Sequence, residues 1–224
     1  FIVIIIYISY CLFVGLFTHV SLLSARTEIN AHTITKPLVL NNDIKVYEAS
    51  VAKDPEQMFV EILSNTMQPL NAPFSVGFTT KYVWLYFELK NATDTLLELI
   101  LSLENPHIDS LYLYEIQAVD SKSVLIGKGG DKMSFHERRY FHRNFIFPVQ
   151  LEKDEVKRFL LKVDKRNASL SYPLRVWDRN TFVARDELIK VSHGIFVGVF
   201  LFITFTSLLL GRLTQLSIFR VYGL

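Results

Sequence analysis

Val83–Asn91, VWLYFELKN, decides the fold. Val83, Leu85, Phe87 and Leu89 fall on one side of an extended chain; Trp84, Tyr86 and Glu88 fall on the other. A period of two with one wholly apolar face is the pattern of a half-buried strand. The pattern recurs downstream. Leu97, Leu99, Leu101 and Leu103 alternate, and Leu111 and Leu113 interleave with Tyr112 and Tyr114. Val124 to Ile126 lead into Gly127-Lys128-Gly129-Gly130-Asp131, which reads as a β-turn. Phe141, Phe145, Phe147 and Val149 alternate around Arg143; Phe159, Leu161 and Val163 form another run, and Tyr172 to Trp177 the last. Eight or more short strands with turns between them predict a mainly β domain, an antiparallel β-sandwich or jelly roll.

Upstream, LVLNNDIKVYEA (38–49) gives two strand-like runs broken by Asn41-Asn42-Asp43. Asp54-Pro55 is a helix start, with Asp54 as N-cap and Pro55 in the first turn. Met58, Phe59, Ile62 and Leu63 follow at helical spacing, so a short helix is expected on the sheet, ended by Pro69 and Pro73. The outermost stretches are membrane-like. Phe1–Val20 is almost wholly apolar and long enough to span a bilayer. It reads either as a signal peptide, with Ser24-Ala25 as the small residues for cleavage, or as an anchor helix. Cys11 follows Tyr10, where a lipoprotein would carry a small residue, and reads as a buried thiol. Thr181–His193 is a charged, juxtamembrane helix, and 194–211 is apolar enough for a transmembrane helix. Arg212 and Arg220 follow with no acid after Glu187, which puts that end on the cytoplasmic side and the strands outside. The expected division is therefore 1–25 signal or anchor, 36–180 β-sandwich, 181–193 juxtamembrane, 194–211 transmembrane and 212–224 cytoplasmic.

Composition narrows the function classes. The 224 residues hold one domain plus membrane segments, and the net charge of +2 gives no basis for nucleic-acid binding. A single cysteine excludes an intrachain disulfide, which fits a bacterial envelope domain. The first residue is Phe1 rather than Met, so the chain reads as a piece of a longer protein.

Catalytic motifs fail on inspection. His136-Glu137-Arg138-Arg139-Tyr140 begins like a zinc-protease helix, but Tyr140 stands where the second histidine belongs. His136 and His142 lack a nearby third ligand, and the glycine-rich turn lacks phosphate-loop spacing. No catalytic residue, metal site or cofactor is expected, and the domain is not expected to be an enzyme. Trp84, Tyr86, Tyr112, Tyr114 and Trp177 lie opposite the leucine faces. They are either a platform on which a sugar ring stacks or a second packed face covered by the helix. Arg138 and Arg139, with Arg143, either grip an anion or pair with Asp109, Glu104 and other acids. Trp84, Tyr86, Tyr112, Tyr114, Arg138, Arg139 and His142 are thus the candidate ligand residues.

Several stretches together carry a resemblance: PFSVGFTTKYVWLYFELKN, LSLENPHIDSLYLYE, GGDKMSFHERRYFHRNFIFPVQL, SYPLRVWDRNTF and HGIFVGVFLF. In order and spacing, from about Val46 to Phe202, they resemble the type 2 extracellular domain of bacterial seven-transmembrane receptors with diverse intracellular signalling modules. The resemblance implies a jelly-roll β-sandwich similar to carbohydrate-binding modules. It also implies a following seven-helix membrane region coupled to kinase, cyclase or phosphatase modules, as in two-component signalling. It marks Trp84, Asn91, Asn105, Pro106, Asp109, Arg138 and Pro173 as recurrent and mostly structural, with an Arg138–Asp109 pair. Thr206-Ser207 stands where that family's first membrane helix carries Tyr-Asn, and the likeness fades after Gly211.

The expected function is ligand sensing outside a bacterial inner membrane, in the periplasm, with the signal passed through the membrane helices. The expected partners are the membrane, a small-molecule or carbohydrate-like ligand and a second copy of the chain, with no nucleic acid. A membrane-tethered glycan-binding module and an envelope protein-interaction domain are the alternatives.

Overall fold

In the computed structural model, residues 26–29, 36–40, 43–72, 75–117, 120–134 and 140–214 are described. The alternating stretches become β1 (Arg26–Ile29), β2 (Leu38–Val39), β3 (Lys45–Ala49), β4 (Ser75–Thr79), β5 (Tyr82–Asn91) and β6 (Leu97–Leu103). After these come β7 (Ser110–Ile116), β8 (Ser123–Gly129), β9 (Phe145–Leu151), β10 (Val156–Asp164), β11 (Ala168–Ser171) and β12 (Leu174–Asp178). Helix α1 (Pro55–Leu63) falls between β3 and β4, and helix α2 (Arg179–Thr214) follows β12. The N-terminal apolar run and the last ten residues lie outside the described residues.

The larger sheet has the order β1-β5-β10-β7-β8, with β3 also on β5. The smaller has the order β2-β12-β6-β9, and β4 pairs β11 in a two-stranded ribbon. The described pairings are antiparallel except β1 on β5. Register puts Leu85 across from Leu161 and Leu161 across from Leu113, while Leu101 faces Val176 on one side and Phe147 on the other. The leucine faces named from sequence therefore meet in one buried core shared by the two sheets. Within it Phe87 and Phe159 stack with ring centroids 5.3 Å apart. This is a β-sandwich, as the alternation predicts.

Asn91 ends β5 fully buried and ties two turns together. Its Nδ2 donates to the carbonyls of Thr95 (2.8 Å), Leu151 (3.1 Å) and Glu152 (3.0 Å). Its Oδ1 accepts from the N–H (2.8 Å) and hydroxyl (2.7 Å) of Thr93. Asn91→Ala strands several of these buried groups, each worth about 1–3 kcal/mol when unsatisfied. We expect a loss of about 2–3 kcal/mol in urea unfolding with an unchanged slope. A change below about 0.5 kcal/mol would show that the turns do not depend on it.

The chain divides into two compact units after Arg179. The second is the body of α2, which runs unbroken through the expected juxtamembrane and transmembrane segments. The stretch Arg179–Leu213 is long and apolar enough to cross a membrane, with mean hydropathy 2.2 in its most apolar window. Its polar side chains bond back onto the helix. Ser192 donates to the Leu188 carbonyl, Thr206 to that of Phe202 (both 2.8 Å), and His193 Nδ1 to that of Ile189 (2.7 Å). Such bonds spare an apolar surrounding any unpaired donor.

Candidate functional site

The outer face of the larger sheet carries the aromatic row. Asp54 is extended (φ −74°, ψ 149°) and Pro55 opens α1, as the sequence predicts, although the Asp54 side chain makes no capping bond. Met58, Phe59 and Ile62 turn inward and pack on Tyr47, Trp84, Tyr86, Ile116 and Leu160. Glu56 fastens the helix to β8 by accepting the Ser123 N–H (2.9 Å) and hydroxyl. Those bonds, the hydroxyl's first, hold its carboxyl below the usual carboxylate range. Trp84 is 0 % and Tyr86 5 % exposed. Phe59 covers Tyr86 with centroids 6.0 Å apart, and Lys162 Nζ lies 5.2 Å from the Trp84 ring centroid.

The expectation that Trp84 and Tyr86 face a ligand is therefore corrected. Helix and lysine occupy the space a sugar ring would need. Trp177 is also buried, and Tyr114 is half-buried against the α1 cluster. Tyr112 differs: it is half-buried and lies directly across from Lys128 on β8.

That lysine leads to the other candidate. β8 and β9 are edge strands of opposite sheets, and a small hollow open to solvent lies between them. Its apolar lining is Ile126, Phe145, Phe147 and Pro148; its polar lining is Lys128, Tyr140 and Asn144. Glycine shapes it. A Cβ on Gly127 would sit 2.6 Å from Phe147 Cδ1, and one on Gly129 would sit 2.7 Å from Phe145 Cδ1. Only bare backbone lets the two rings reach beneath β8. The glycine-rich stretch read as a turn is thus strand as far as Gly129, with the turn at Asp131-Lys132.

The β8–β9 connection borders this hollow in sequence. It contains His142, which is nearly buried and whose Nδ1 accepts the Asn144 N–H at 3.0 Å, stiffening the approach to β9. Arg138 and Arg139 lie outside the described residues, as does His136. Asp109, expected to meet Arg138, has Lys132 at 2.6 Å, and Glu104 has Arg175 at 2.8 Å. Those acids are engaged from within the sandwich. Among the described residues no three His, Cys, Asp or Glu converge as a metal site.

One polar chain leads away from the hollow. On β9, Gln150 Nε2 donates to Glu98 Oε1 on β6 at 3.2 Å; Glu98 Oε2 meets Arg179 Nη1 at 2.8 Å. Arg179 is the first residue of α2 and follows β12 without a linker. The Arg179 bond, then that from Gln150, holds the Glu98 carboxyl below its ordinary range.

The model of the family described as 7TMR-DISM extracellular 2 matches residues 48–178, which begin in β3 and end with β12. No curated protein matches the chain. Among solved structures, the tail fiber protein gp63.1 from an E. coli phage is similar at TM-score 0.35 and 8 % identity. The alignment covers 69 % of this chain and 20 % of that one, so the chain spans about a fifth of the fiber protein's length.

Proposed function

The chain belongs to the 7TMR-DISM extracellular 2 family, the extracellular domains of transmembrane receptors, and from that premise we propose that the hollow between β8 and β9 is its sensing site. The ligand on this reading is a small, carbohydrate-like molecule. The apolar face of a sugar suits the half-buried Ile126, Ile146 and Pro148, and its hydroxyls suit Asn144, Tyr140 and Lys128. The sandwich stands in the periplasm and α2 enters the inner membrane, in keeping with the arginines that follow its apolar segment. Catalysis belongs to signalling modules across the membrane and not to the sandwich.

The observation that carries this reading is the Gln150–Glu98–Arg179 relay. The strand that lines the hollow is joined through β6 to the residue that starts α2. A ligand signals only if it binds one of two arrangements better than the other. Here the two arrangements are Glu98 engaged with Arg179 and Glu98 released.

The test is hydrogen exchange on the chain in lipid nanodiscs, with and without a saturating saccharide. We expect protection in β8 and β9 together with a change over residues 179–186. Glu98→Gln should keep the first and lose the second. Acidification should do the same. A carboxyl held low is charged above its ordinary range, and the ion pair is lost as pH falls through the lowered value. Protection confined to the hollow in the unmodified chain would sink the signalling reading and leave a membrane-tethered glycan-binding module.

A further inference from the structure

A regular ladder would pair each residue of β8 with one of β7. Instead Leu113 pairs Gly127 and Tyr114 pairs Leu125, so Ile126 is an extra residue with no partner on β7. Such a bulge re-aims a side chain. That of Ile126 packs half-buried against the inner core and lines the hollow with Ile146 and Pro148 of β9, which are half-buried too. The three make an apolar notch of a size for a substituent rather than for a whole hexose ring. Asn144 stands beside it. His142 Nδ1 accepts the Asn144 backbone N–H at 3.0 Å, which fixes the residue. Its side-chain amide makes no hydrogen bond among the described residues, although Asn144 is half-buried. A carboxamide offers an acceptor oxygen and two N–H donors. Another amide answers both at once, its N–H to the oxygen and its carbonyl to an N–H. No described residue lining the hollow is acidic, and Lys128 brings a positive charge to it.

Resting on the saccharide reading, we infer that the ligand is an N-acetylated amino sugar. The acetyl methyl enters the notch of Ile126, Ile146 and Pro148, and the acetamido N–H and carbonyl pair with the Asn144 amide. The ring lies over the mouth of the hollow, with its hydroxyls to solvent and to Lys128. A sugar with a hydroxyl in place of the acetamido group leaves the notch unfilled and meets only part of the Asn144 amide. A sugar with a free amine brings an ammonium ion toward Lys128, and like charges repel.

The experiment is calorimetric titration of the whole chain in zwitterionic nanodiscs with three trisaccharides: tri-N-acetylchitotriose, its fully de-acetylated form and cellotriose. We expect the acetylated trimer to bind, and the other two to bind at least about tenfold more weakly. Asn144→Ala and Ile126→Phe remove the amide partner and fill the notch. Each should bring the acetylated trimer down to about the affinity of cellotriose, and unchanged melting of both variants excludes a folding defect. Equal binding of the acetylated trimer and cellotriose by the unmodified chain would overturn the N-acetyl inference and leave the saccharide reading standing. So would a preference that survives intact in both variants. No binding of any of the three would overturn both.

Discussion

Trp84→Ala should lower the stability of the sandwich by about 3–5 kcal/mol, the range for truncating a buried tryptophan. Nothing nearby fills the space. The indole lies between Tyr47 and Lys162 in register, beneath a helix whose buried face is only three side chains long. Removing it also takes away the ring over which Lys162 rests, 5.2 Å from the centroid, an interaction worth about 0.5–2 kcal/mol. For a domain of this size the melting point should fall by about 10 °C. Below that transition, saccharide affinity should match that of the unmodified chain. The opposite pairing, unchanged melting with lost affinity, would return Trp84 to the ligand and show that α1 lifts from the sheet.

Gly130→Ala should be comparably damaging although no side chain is lost. Gly130 has φ +143°, a conformation L-residues avoid, and a Cβ there would lie 2.2 Å from the Asp109 carbonyl oxygen. The segment has no slack. Asp131 N–H donates to the Ile108 carbonyl at 2.7 Å and Lys132 N–H to that of Asp109 at 3.1 Å. Backbone strain and overpacking each cost about 1–3 kcal/mol, so about 4 kcal/mol is expected. Gly194→Ala is the control, because nothing lies within 4 Å of its added Cβ. In a helix that exchange is neutral or favourable by about 1 kcal/mol. Denaturant midpoints of the two variants decide the matter; similar midpoints would mean that the Gly130 turn can rearrange.

The strands of the core were legible because a half-buried strand repeats every two residues and nothing distant is needed to see it. Helix α1 was legible from Asp54-Pro55 and the spacing of Met58, Phe59 and Ile62. The aromatic face of β5 was ambiguous for a physical reason. A second apolar face reads alike whether a helix or a ligand covers it, and the helix responsible is encoded about 25 residues upstream. The hollow escaped notice because it depends on which strands end up at sheet edges. A trace was present: Gly127 and Gly129 share the period of two with Phe145 and Phe147, and small opposite large at matched spacing marks close approach. β1 was missed because RTEI is four residues long, mostly polar, and pairs in parallel.

That short strand has a consequence for how the domain is handled. β5 is the longest strand, and one side of it is shared by two short ones. β3 takes Tyr82–Tyr86 and β1 takes Glu88–Asn91, leaving Phe87 as the sole gap. A fragment cut at Lys36, where the sequence alone places the domain's start, loses half of that cover. Four residues of bare backbone then become a template onto which any extended chain can add. What looks like a dispensable leader is the guard that keeps one sandwich from zipping onto the next.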